Sequence, residues 1–152
     1  MDYSQAFAIS AAGMSTERMR VDVAALNLAN ANTAQTADGV SYRPLRVIVR
    51  SLTAGTFAQR VDDGLADASG AQATSLPLPQ ADVEPADVKP RLSYEPGHPF
   101  ADKKGFVSYP GVDTATEMVG LMTAIRSYEA NVAAMNTART LALRALDIGS
   151  AS

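Results

Sequence analysis

The sequence has no cysteine, no tryptophan and a single histidine, His98. No disulfide framework or thiolate metal site can be built from it, and one imidazole beside the turn carboxylates Glu95 and Asp102 falls short of a zinc ligand set. Nucleophilic triads reduce to a serine with one candidate base and no nucleophile elbow around it, and no phosphate-binding or dinucleotide fingerprint is present. The acids Asp62, Asp63, Asp82, Glu84 and Asp87 fall in a Pro/Gly-rich stretch, where a raised catalytic pKa is not expected without burial. An enzyme is the least favoured class: no catalytic residue, cofactor or metal is expected, and His98 reads as a turn-stabilising side chain.

Long apolar runs are missing as well. None approaches the length of a membrane span, so no direct membrane insertion is expected. Met1 to Ala12 lacks the basic and continuous apolar regions of a cleaved signal peptide, so export would need a route without one. Charge of one sign is scarce: the formal net charge of the 152 residues is −3. Between residues 51 and 96, seven acids face three bases, and no basic face suited to a phosphate backbone appears, which excludes nucleic acid as a partner. Aromatics make up only 6%. Much of the 47% apolar fraction is alanine, which yields little burial per residue, so a core enclosed by this chain alone would be thin.

What the sequence does have is heptads. From Thr114 to Ile148, Met118, Leu121, Ile125, Tyr128, Val132, Met135, Ala142 and Leu146 recur at alternating steps of three and four, interrupted by Arg139. Such spacing predicts a long helix packed against another helix. Thr114 and Glu117 have the form of a capping box, and Gly149 suits a C-terminal stop. The helix would be roughly 50 Å long, too long for one small domain to cover. A second helix is predicted over about Asp2 to Asn30, where Phe7, Met14, Val21 and Leu28 stand seven apart with Ala11, Ala24 and Ala25 beside them. The expected fold is mainly α: two terminal helices paired as an antiparallel coiled coil, with a small antiparallel β region and a long irregular loop between them. The corresponding units are residues 1–33, 34–112 and 113–149.

Pairing Phe7 with Leu146 would bring Met14 level with Arg139, and Glu17 and Arg139 are then candidates for a register-fixing ion pair. Gly13 costs about 1 kcal/mol relative to alanine inside a helix. Either that cost is tolerated or a neighbouring helix passes close by. Asn27, Asn30 and Asn32 end the first helix. They form either a solvated, Asn-rich C-cap or an interhelical hydrogen-bond cluster at a subunit contact.

In the middle of the chain the period shifts to two: Leu45, Val47 and Val49 alternate with Arg46, Ile48 and Arg50, which reads as a strand. Arg43, Arg46 and Arg50 form a solvated face or meet an acidic neighbour. Residues 53 to 90 show no periodicity and read as an irregular insertion. Seven of the eight prolines lie between Pro77 and Pro110. Arg91 to Tyr94 and Phe106 to Tyr109 are candidate strands around turns, and with residues 45–52 they would make a three-stranded sheet capping the helices.

The run Asn27-Leu-Ala-Asn-Ala-Asn-Thr33, preceded by the Met14–Ala25 helix and followed by Gly39 and Tyr42-Arg43, resembles the signature of the flagellar basal-body rod and hook proteins. Tyr94-Glu-Pro-Gly-His-Pro99, Gly105-Phe-Val107, Glu117-Met118 and Arg126-Ser-Tyr-Glu-Ala-Asn-Val132 narrow the resemblance to proximal-rod members. It spans about residues 7–50 and 91–149. The resemblance implies a structural subunit whose terminal helices polymerise into a torque-transmitting shaft across the periplasm. It also implies delivery by the flagellar type III export apparatus, with other copies of the chain and other rod proteins as partners. Two alternatives are a distal-rod or hook component and a cytoplasmic coiled-coil adaptor or export chaperone.

Overall fold

The computed structural model describes residues 3–35, 41–51 and 78–150. Gly39 and most of the irregular insertion, including Leu76 and Pro77, lie outside the described residues. Six elements follow in order: α1 (Tyr3–Asn30), β1 (Leu45–Ser51), β2 (Pro79–Pro85), β3 (Arg91–Tyr94), β4 (Phe106–Tyr109) and α2 (Thr114–Ser150). The molecule is mainly helical with a small β part. Neither helix is long and apolar enough to cross a membrane.

α1 and α2 lie side by side and antiparallel. Two cross-contacts set their register: Asn27 bonds Glu117 near the β region, and Gly13 faces Asn131 further along. Both helices advance by two heptads between these points. This register replaces the expected one, since it sets Phe7 level with Thr137 rather than Leu146, a displacement of about 13 Å along the axis.

The line of contact also sits one residue earlier than the apolar heptads suggested. The best-buried residues of α1 are Thr16, Val23, Ala24 and Asn27, with Ala31 just past its end, and on α2 the buried residue is Ala124. Phe7, Met14, Val21 and Leu28 are only half-buried, while Met118, Ile125, Tyr128 and Leu146 are exposed. Met14 and Leu28 directly follow Gly13 and Asn27; Met118, Ile125 and Val132 directly follow Glu117, Ala124 and Asn131. One residue is about 100° of helix, so the large apolar side chains lie round the corner from a seam of small and polar ones. The reason is steric. A Cβ on Gly13 would come within 2.9 Å of the Asn131 amide, so α2 does pass close at this glycine.

The ends of α2 differ from expectation. Asp113, not Thr114, caps the helix: its Oδ1 accepts the Ala115 N–H at 3.1 Å and its Oδ2 accepts the Thr116 hydroxyl at 2.7 Å. Glu117 is therefore not in a capping box, and its carboxylate turns to Asn27 instead. Gly149 does not end α2, which runs through to Ser150.

The β region is two separate antiparallel pairs rather than one three-stranded sheet. β1 pairs with β2 from Leu45↔Pro85 to Ser51↔Pro79. β2 lies inside the stretch read as irregular; its prolines stand at its two ends, where a missing N–H costs a strand least. β3 pairs with β4 from Arg91↔Tyr109 to Tyr94↔Phe106. Gly105, at φ 81°, supplies the left-handed residue of their connection, and Asp102 Oδ1 accepts the Lys104 and Phe106 N–H groups. Tyr94 and Phe106 then meet edge to face at 5.3 Å.

Candidate functional site

Asn27 is 1% exposed and uses every hydrogen-bonding position of its amide. Its Nδ2 donates to the Leu45 carbonyl and to Glu117 Oε1, both at 2.9 Å. Its Oδ1 accepts the Leu45 N–H and the Tyr42 hydroxyl, also at 2.9 Å. The side chain thus pairs with Leu45 as a neighbouring strand would, and joins the end of α1, the start of β1 and the first turn of α2. Burial, and then the nearby Glu117 carboxylate, raises the pKa of Tyr42, so its hydroxyl remains a donor. Of the three asparagines only Asn27 bonds across to α2, and it does so within one chain. Asn30 serves locally, donating to the Leu26 carbonyl at 2.8 Å and accepting from Thr33, and Asn32 is exposed.

Glu17 does not reach Arg139. It bonds Arg20 at 2.9 Å, one turn along its own helix, and the register sets Arg139 level with Gln5, about 18 Å of helix away. Arg50 does meet acids, and they belong to its own chain: it pairs with Glu84 of β2 and lies 3.9 Å from Asp82. Arg43 and Arg46 are exposed.

Outside the seam, α2 carries a second apolar row. Met118, Met122 and Ile125 are 55%, 60% and 41% exposed, and Leu143 and Leu146 extend the row at 53% and 68%. The steps are four, three, eighteen and three, and eighteen residues make about five turns, so the two groups return to one side of the helix. Leu121 and Met135, both half-buried, lie between this row and the seam with α1. A helix with two adjacent apolar rows, one of them covered, is built to pack on both sides.

Residues 103–148 match the family described as "Flagellar basal body rod FlgEFG protein C-terminal". Over 143 residues the chain is 36% identical to the flagellar basal-body rod protein FlgC of Escherichia coli O6:H1, covering 94% of this chain and 95% of that one. FlgC of Bacillus subtilis is 33% identical over 145 residues, covering 93% and 94%. FlgC of Borreliella burgdorferi is 31% identical over 150, covering 92% and 93%. The chain belongs to the FlgC family of flagellar basal-body rod proteins. Members of the FlgC family are structural, so a fully satisfied amide junction and an uncovered helix row are the features to interpret, rather than a reaction centre.

Three segments that carried the resemblance meet at that junction: Asn27, Tyr42 and Glu117 come from separate stretches and converge within hydrogen-bonding distance. Sequence reasoning treated Glu117 as a cap and Tyr42 as a label. The available signal was the lack of any local partner for a buried-side asparagine on a helix. His98 stands in the β3–β4 connection, its Nδ1 accepting the Phe100 N–H at 3.2 Å, with the two rings 5.7 Å apart. Tyr109 donates to Glu95 Oε2 at 3.1 Å and carries Arg91 over its ring at 5.5 Å. Burial and the Glu95 bond raise its pKa, with Arg91 opposing them.

Proposed function

We propose that this structural rod subunit assembles through its terminal helices, which pair as an antiparallel coiled coil and pack on equivalent helices of neighbouring copies and other rod proteins. In this reading residues 1–33 and 113–149 form the inner unit and residues 34–112 an outer one. The product is the proximal part of a torque-transmitting shaft that crosses the periplasm. Subunits arrive through the flagellar type III export apparatus. The exposed row Met118, Met122, Ile125, Leu143 and Leu146 carries the proposal, because water-exposed apolar side chains in register along a helix mark a contact surface. Matching two-heptad steps in both helices support the coiled coil.

The test is Ile125→Asp as the sole copy in cells. The isolated chain should keep its helicity, since Ile125 lies outside the seam, while rod incorporation and swimming are lost. Normal swimming of that variant would refute the reading.

A further inference from the structure

Methionine is the most readily oxidised side chain in this sequence, which has neither cysteine nor tryptophan. Of the six methionines, all but Met1 lie among the described residues, and they fall into two sets. Met14, Met19 and Met135 are half-buried. Met118 and Met122 are 55% and 60% exposed. These two stand four residues apart, one above the other on the same face of α2, and they open the apolar row that Ile125 continues.

Exposure puts both sulfurs within reach of a dissolved peroxide. The thioether lone pair attacks one oxygen of hydrogen peroxide, and an S–O bond forms as the O–O bond breaks. The leaving hydroxide takes up the proton of the transferred oxygen and departs as water. Sulfur has lost two electrons and the peroxide has gained them. A dithiol reductase reverses the change, removing the oxygen as water and becoming a disulfide itself. The sulfoxide is polar where the thioether was apolar, and a polar oxygen buried without a donor opposes contact. Two sulfoxides on successive turns break the row at Met118 and Met122. The seam with α1 is untouched, because it runs through Gly13, Thr16, Ala24, Asn27 and Ala124.

We propose that Met118 and Met122 form a paired oxidation site for peroxide, and that conversion of both to sulfoxides holds a subunit out of assembly until a reductase restores them. The site is open in the free chain and closed once the row is packed, so the switch acts on subunits not yet incorporated. That second half rests on the assembly through α2 proposed above.

The isolated full-length chain is treated with hydrogen peroxide, quenched, digested and mapped by mass spectrometry. Met118 and Met122 should gain one oxygen roughly tenfold faster than Met14, Met19 and Met135, with helicity by circular dichroism unchanged. Equal rates at all five would overturn the site. Given the same treatment, isolated basal bodies should show Met118 and Met122 slowed by about tenfold. Fast oxidation there would leave the site standing and overturn the packing of the row, and with it the switch. In cells without methionine sulfoxide reductases, the chain is then made while its export is blocked, oxidised by a peroxide pulse, and released into growing basal bodies. Chains carrying both sulfoxides should be depleted at least about tenfold in basal bodies relative to the unincorporated pool. An equal sulfoxide fraction in the two pools would overturn the switch while leaving assembly through the row intact.

Discussion

Replacing Asn27 with alanine is expected to unfasten three segments at once. The change leaves the Leu45 N–H and C=O, the Tyr42 hydroxyl and one Glu117 oxygen without their partner, and buried polar groups left unpaired cost about 1–3 kcal/mol each. Exchange of the Leu45 amide, followed by mass spectrometry, should accelerate roughly a hundredfold. Tyr42→Phe removes one bond of the four and should cost only about 1 kcal/mol. The hydroxyl also sets a pH limit. Because its folded pKa is raised, the stability it contributes is complete below the usual tyrosine value near 10 and is lost as pH rises through the higher folded value. The cap behaves oppositely. Asp113 is held below the usual carboxylate range, by the Thr116 hydroxyl first and the Ala115 N–H second, so its contribution is complete above about pH 4 and disappears as pH falls through the depressed value. Carboxyl NMR shifts of Asp113, tracked with the Ala115 amide, should report that loss as fraying of the first turn of α2.

At the scale of elements, both helices and β1 were legible because each carries its own period, and β3 and β4 because turns flank them. The seam was misread because apolar heptads rank positions by hydrophobicity, whereas α1 and α2 meet through Gly13, Thr16, Ala24, Asn27 and Ala124, which let the backbones approach. The large side chains that marked the row belong to its outer face. β2 was invisible for another reason: prolines at both ends and alternating Asp82 and Glu84 look like loop chemistry, and only Arg50 across the ladder explains the acids. Two glycines test the packing. Gly13→Ala displaces only the flexible end of Asn131 and regains about 1 kcal/mol of propensity, so it should be close to neutral, while Gly13→Leu should separate the helices and lower helicity by circular dichroism. Gly111→Ala has no such escape. Its Cβ would fall 2.1 Å from the Lys89 carbonyl oxygen, so the link from β4 to α2 must shift, and near-ultraviolet signals of the neighbouring tyrosines should change.

For the whole molecule, the buried apolar residues among those described are Val23, Ala24, Ala31, Val107 and Ala124 with Pro44 and Pro110, a thin core. Helicity of the isolated protein should therefore rise with concentration and melt without a sharp transition in dilute solution. A steep, concentration-independent transition would contradict that. The architecture of paired ends and a β middle was legible in the sequence, as was the rod family. The junction was not, because its members are distant in sequence and none belongs to a period.

That distance has an effect in time. Asn27 and Glu117 are separated by 90 positions, so a chain that emerges amino end first cannot bring them together until all of β1 to β4 has already come out. The clasp closes late by construction, since its last member joins only after all four strands.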